Sequence, residues 1–231
     1  MTLPSDDILA ALRAKHGVDL SYVECDLGTV IFKCPTEAEV DPYLVAKYVS
    51  GEFQDGANNL VFGVRVWPSV AKVDEMFEEA PALVGKFASE IEKAYGGDEA
   101  DMAGARPRKV SELTETERGE FEAALGPLAE LEARVPRGTL RLVRMPFGPA
   151  AVRRPTRHSY AKYSDAYNKP GAVAEARQLI FDSAVAPDAK AFAECFKTAP
   201  MLPFYLALNL AAQCGTELQA RAGKLKGSSA A

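Results

Sequence analysis

The alternation of apolar and polar positions divides the chain into short, evenly spaced elements. Ser5 precedes Asp6 and Asp7; Ile8, Leu9 and Leu12 follow at helical spacing, and Gly17 comes after them. A capping hydroxyl, acidic residues in the first turn and a glycine past the end predict a helix. Residues 19–25 and 29–33 are rich in β-branched and aromatic side chains and flank Asp26-Leu27-Gly28, which predicts a β-hairpin. Thr36 and Glu39 have the spacing of a capping box at the start of another helix. Pro42 then calls for a kink, or for a restart with Asp41 as N-cap. Val40, Tyr43, Leu44 and Tyr48 fall on one face of that segment. The apolar run 60–67 fits either a strand or a buried helix. Pro68-Ser69 breaks the chain and caps a helix bearing Val70, Val73 and Phe77. A last helix bears Leu83, Phe87 and Ile91 and ends at Gly96.

The same succession returns further along. Gly28, Pro35-Thr36 and Tyr43 match Gly148, Pro155-Thr156 and Tyr163 at an offset of 120. After one slip the offset is 119: Leu60-Val61-Phe62 matches Leu179-Ile180-Phe181, Pro68 matches Pro187, Phe77 matches Phe196, Ala80-Pro81 matches Ala199-Pro200, Leu83 matches Leu202 and Gly96 matches Gly215. These residue types mark turns, caps and core anchors, which a duplicated fold retains. The second hairpin falls at 139–145 and 150–153. Tyr160, Tyr163 and Tyr167 share a helix face; Ala189, Phe192 and Phe196 another; and Leu202, Leu206 and Leu210 a third, ending at Gly215. The partner of the 60–67 run is the more helical of the two, so both are assigned to helix. The predicted fold is α+β and mainly helical: two tandem copies of a β-hairpin plus about four helices. The boundaries are a first repeat at 1–97, a Gly-rich, charged linker at 98–126, a second repeat at 127–220 and a fraying tail at 221–231. A lone hairpin is marginal in water, so each must pack on helices or on the other hairpin.

Composition is that of an ordinary globular chain, but charge is unevenly spread. Residues 1–127 hold 12 Lys and Arg against 24 Asp and Glu, whereas residues 128–231 hold 15 against 8. An acidic half followed by a basic half suggests attraction within the chain or between copies, with drift of solvated faces as the alternative. No apolar run reaches the ~18 residues of a membrane span. The N-terminus lacks the basic start and long apolar stretch of a signal peptide, pointing to the cytoplasm. Cys25, Cys34, Cys195 and Cys214 show no metal or redox spacing and are expected as free thiols.

Candidate chemistry is sparse. His16 sits where a helix C-terminus favours a cation, and His158 beside a helix start. No phosphate loop, dinucleotide fingerprint or metal-ligand spacing occurs, so no catalytic residue, metal or cofactor is assigned. Acidic pairs such as Asp74-Glu75 and Glu78-Glu79 fit a solvated helix face. The candidate binding residues are Arg141, Arg144, Arg153, Arg154 and Arg157, with Arg137 nearby, and Trp67, which is either a core anchor or an exposed contact. If 139–145 is a strand, Arg141 lies on the face opposite Leu142 and Arg144. The overall acidity and the lack of interleaved aromatics favour an acidic protein surface over nucleic acid as partner.

Taken in order, ILAALRAKHG, a short hairpin, the helix start PTEAEV, an apolar run ending WPS and the amphipathic stretch EEAPALVGKFASEIEKAYG resemble the tail assembly chaperones of tailed bacteriophages. The resemblance covers residues 6–97 and, less closely, 129–215. It implies a small, helix-rich, non-enzymatic protein that binds the tape measure protein and keeps that long helical chain soluble until tube subunits assemble around it. Two copies in one chain depart from that pattern. A structural tail or baseplate component, and a nucleic-acid-binding adaptor using the basic half, remain as alternatives. The host cytoplasm, or the virion tail for a structural component, is the expected location.

Overall fold

The computed structural model of the chain describes residues 4–97, 103–167 and 169–216, the side chains of Val49 and of residues 214–216 excepted. The first unit opens with α1 (Asp6–His16), in which acidic residues stand at the positive end and Arg13, Lys15 and His16 at the negative end. The Gly17 N–H closes the last turn on the Arg13 carbonyl at 2.9 Å. No residue of α1 is buried. Strands β1 (Leu20–Cys25) and β2 (Gly28–Lys33) form the expected hairpin, joined through Asp26-Leu27, with Cys25 opposite Gly28.

Helix α2 (Glu37–Val45) begins with the expected capping box. The Thr36 N–H and hydroxyl both donate to Glu39 Oε2, at 2.8 and 2.9 Å. It neither restarts at Pro42 nor uses Asp41 as its own cap; it runs on and widens into a π turn over Ala46–Ser50. Helix α3 (Phe53–Val64) follows, and here the expectation for 60–67 needs correction. The helix stops at Val64, and Arg65–Trp67 forms β3, antiparallel to β2. The residue before a proline is disfavoured in helical geometry, and Val66 is β-branched, so the last residues suit the open edge of β2 better than another helical turn. Helices α4 (Val70–Glu79) and α5 (Leu83–Glu92) complete the unit, with a π turn at Lys93–Gly97.

The second unit repeats this order. Strands β4 (Leu140–Met145) and β5 (Gly148–Arg153) pair in the same register as β1 and β2, shifted by 120 residues. Helices α8 (Arg157–Ala166) and α9 (Ala172–Ser183) are followed by β6 (Ala184–Ala186), which pairs with β5 across a bulge at the position equivalent to that in the first sheet. Helix α10 (Ala189–Thr198) is capped by the Asp188 carboxylate, and α11 runs from Leu202 to Thr216. The expected stop at Gly215 is not made, since the helix continues through it. The fold is thus α+β and mainly helical, with two three-stranded antiparallel sheets in place of the two-stranded hairpins expected. Among the described residues no helix is long and apolar enough to cross a membrane.

The stretch expected as a linker is folded over its described part. Helix α6 (Glu115–Leu125) has its own capping box between Thr114 and Glu117, and α7 (Leu128–Ala133) leads into β4. Phe121 of α6 packs with Leu128 and Leu131 of α7 and with Leu140, Leu142 and Ala151 of the second sheet. Phe121 and Leu125, with the Glu120–Arg144 pair, seat this mostly polar helix there. Residues 98–102, and the tail expected to fray at 221–231, lie outside the described residues.

The units share a core. Ala172, Val173, Met201, Phe204 and Tyr205 of the second pack into the cluster of Phe32, Tyr43, Leu44, Leu60, Phe87 and Ile91 of the first. Large side chains buried in this way contribute roughly 1.5–3 kcal/mol each.

Candidate functional site

At the junction between the units the chain places two buried carboxylates, Asp41 and Glu92. Asp41 turns its carboxylate to the N-terminus of α9. Oδ2 accepts from the Gly171 N–H at 2.7 Å and Oδ1 from the Val173 N–H at 2.8 Å. The first unit therefore caps a helix of the second. Glu92, 3% exposed, is the centre of a larger network. Its Oε2 accepts from the Tyr43 hydroxyl at 2.6 Å and from Lys47; its Oε1 accepts from the Tyr48 hydroxyl at 3.1 Å and from Tyr205 of the second unit. Burial and the Glu92 charge both push the Tyr43 and Tyr205 hydroxyls above the ordinary phenol range, so both stay protonated donors. Glu37 and Arg177 pair at 2.7 Å, and the Cys34 thiol donates to the Lys197 carbonyl at 3.4 Å. Burial, with the nearby Asp19 charge, raises the Cys34 pKa to about 12. Sequence reasoning missed Glu92, although a signal was present: it continues the apolar stripe of Phe87, Ala88 and Ile91, where an unpartnered carboxylate has no place.

The two sheets differ in what covers them. In the second, the face bearing Leu140, Leu142 and Ala151 lies under α6 and α7, and Leu142 is 1% exposed. The same face of the first sheet bears Leu20, Tyr22, Ile31 and Trp67, since Tyr22 and Trp67 both stand opposite Ile31. There Tyr22, equivalent to Leu142, is 59% exposed. Ile8 of α1, equivalent to Leu128, is 43% exposed, and Val18 beside them stands clear of the surface. Trp67 is half-buried, at the far strand of this face.

The arginines singled out from the sequence do not form one patch. Arg141 is 1% exposed, on the opposite face of β4 from Leu142. Its guanidinium donates to Gln213 Oε1 and to the Gly138 and Leu140 carbonyls, each at 2.8 Å, so this side chain is a structural tie. Arg144 pairs with Glu120 and lies over the Phe121 ring at 5.4 Å, holding α6 to the sheet. Arg153 donates to the Asp182 carbonyl at 2.9 and 3.2 Å. Arg154 is half-buried and Arg157 is exposed at the first turn of α8. His16 ends α1 and His158 lies exposed on α8, far apart in the sequence of elements. Cys25, Cys34 and Cys195 are not in disulfides; the Cys214 side chain lies outside the described residues. Among the described residues no three His, Cys, Asp or Glu side chains gather as a metal site would require.

Comparison of the chain with protein-family models, with curated proteins and with solved structures gives no match in any of the three.

Proposed function

We propose that the chain is a non-enzymatic assembly factor of the tail-chaperone kind, which holds an amphipathic helix of a tape measure or other tail protein on the outer face of its first sheet. The single observation behind this reading is the contrast between the sheets. The face that the second unit closes with α6 and Phe121 is only partly covered in the first, where Ile31 is buried and Trp67 half-buried but Tyr22 and Ile8 stand exposed. A face of this shape takes an amphipathic helix in the second unit, and the equivalent face has the shape and apolarity to take one from another chain.

The chemistry asked of such a factor is modest. A long helical partner exposes an apolar stripe before assembly, and covering that stripe prevents aggregation. Release then needs only competition by the assembling tube, so the face must bind without large buried area or buried charge. Acidic residues concentrated in the first half steer basic partners toward it. The nucleic-acid reading has less support, because Arg141 is buried and Arg144 and Arg153 are already engaged.

The test is co-expression with a long helical tape measure protein as candidate partner, followed by co-purification. The expected result is a complex that Tyr22→Glu with Trp67→Glu weakens about tenfold or more, with far-UV circular dichroism unchanged. A complex indifferent to both substitutions, or none at micromolar concentrations, overturns the reading.

A further inference from the structure

A second contrast between the units lies not on the sheet face but at its edge. In the second unit, a groove runs between the edge strand β4 and helix α11, and the chain arriving from the first unit fills it. Gly96 enters against Ala199 and Leu202, so closely that a Cβ there would stand 2.8 Å from the Ala199 Cβ. The Tyr95 carbonyl accepts from the Met201 N–H at 3.3 Å. Further on, Gly104 presses against the Arg144 carbonyl, where a Cβ would be 2.8 Å from the oxygen. Ala105 is fully buried with Val143 and Met145. Arg108 then pairs antiparallel with Leu142 through two backbone hydrogen bonds of 2.8 and 2.9 Å.

In the first unit the equivalent groove, between β1 and α5, is open. It has a volume of about 990 Å3, and a further 460 Å3 continues it along β1. Its walls are the repeat equivalents of the residues just named: Val23, Glu24 and Cys25 stand for Val143, Arg144 and Met145, and Ala80, Ala82 and Leu83 for Ala199, Met201 and Leu202. Glu24, Asp26, Glu79 and Glu90 make it acidic, against Lys86 and, in the continuation, Lys93, which pairs with Glu90. The outer edge of β1 pairs with no strand among the described residues.

The sequence supplies a matching segment. The offset of 119 that aligns Gly96 with Gly215 also aligns Ala103-Gly104, the dipeptide in the filled groove, with Ala222-Gly223. The same stretch carries Arg221, Lys224 and Lys226. We propose that residues 217–227 of one copy of this chain occupy the open groove of a second copy, as residues 98–108 join the first unit to the second within one chain. Gly223 then meets the Glu24 carbonyl, Gly227 pairs with Tyr22 as Arg108 does with Leu142, and the three cations face the acidic lining. An added strand supplies main-chain hydrogen bonds, and the charges supply the steering. The contact is head-to-tail, so it extends into rings or open chains of copies. The buried polar junction within the chain has no counterpart at this contact: Asp41 corresponds to Ala161 and Glu92 to Ala211. The association between copies therefore rests on the segment alone and is much weaker than the junction within the chain. This inference stands independently of the proposed chaperone role.

Sedimentation velocity of the full chain over a range of concentrations tests it. The expected result is mass rising with protein concentration, shifted at least about tenfold to higher concentration by Gly223→Val, by Glu24→Lys, or by salt. A labelled peptide of residues 216–228, added to a full chain carrying Arg221→Glu, Lys224→Glu and Lys226→Glu, is expected to bind one per chain and to lose that binding on Glu24→Lys. Far-UV circular dichroism verifies that each variant is folded. A chain that stays monomeric while the peptide binds would mean that each tail fills its own groove, and it overturns the exchange between copies. No peptide binding to the folded variant, or binding that ignores Glu24→Lys, overturns the groove itself.

Discussion

Removing the Glu92 carboxylate is expected to destabilise the whole chain, because it strands donors from both units at once. In Glu92→Ala, the hydroxyls of the buried Tyr43 and Tyr205 lose the carboxylate that accepts from them, and Tyr205 keeps only the longer 3.2 Å contact with the Tyr48 hydroxyl. Each buried, unsatisfied hydroxyl costs roughly 1–3 kcal/mol. Tyr48 is exposed enough to turn to water, and the Lys47 ammonium, partly exposed, can do the same. One stranded hydroxyl, a second left with a weaker partner and a small cavity, less the relief of burying no charge, give a loss of about 3 kcal/mol. Glu92→Gln keeps one acceptor and is expected to lose about 2 kcal/mol, and Tyr205→Phe about 1 kcal/mol. Urea unfolding followed by far-UV circular dichroism measures these losses at constant slope. The double variant Glu92→Ala with Tyr205→Phe is expected to show a coupling of about 1 kcal/mol or more. A loss under about 1 kcal/mol for Glu92→Ala, or additivity in the double variant, would refute the claim that this carboxylate ties the units together.

Other consequences are equally open to measurement. Asp41→Ala leaves the Gly171 and Val173 N–H groups of α9 uncapped and is expected to cost about 2 kcal/mol in urea unfolding; a loss below about 0.5 kcal/mol would show that the cap contributes nothing. At pH 8, alkylation followed by mass spectrometry should find Cys34 roughly a thousandfold less reactive than an ordinary thiol, since its pKa stands near 12 rather than 9.0, and Asp41→Ala should speed the reaction by opening the junction. Cys34 and Tyr95, both raised to about 12 by burial, stabilise the fold fully below the pKa values of their unfolded forms, and that contribution is lost as pH rises toward 12, which alkaline unfolding curves report. Glu117 is held near 2 by Arg108 and then by the Thr114 N–H and hydroxyl, so its contribution is present above the ordinary carboxyl range and is lost as pH falls toward 2; hydrogen exchange in α6 should rise over that window and not above it. Phe121→Ala is expected to cost about 3 kcal/mol and to increase binding of a hydrophobic dye by baring Leu140 and Leu142.

Much of the local structure was legible because it is written in short-range chemistry. The capping box of Thr36 and Glu39, the Asp26-Leu27 turn and the helical stripes each depend on residues within a turn or two of one another, and the periodicity states them directly. The duplication was legible for a related reason: turn and cap residues recur at one spacing with a single slip, and the equal strand registers follow from it. The tertiary structure decided matters that depend on partners remote in sequence. The run 60–67 carries no mark saying that its last three residues complete a sheet, because their partner strand lies more than thirty residues earlier. Asp41 looks like a cap for its own helix until α9 arrives to claim it, and Arg141 looks like a surface charge until Gln213 and two carbonyls enclose it. The sequence by itself set the elements, their repetition and their charge. Only packing decided which sheet face and which groove are filled within the chain and which stand open, because burial is a property of what comes to rest against a residue.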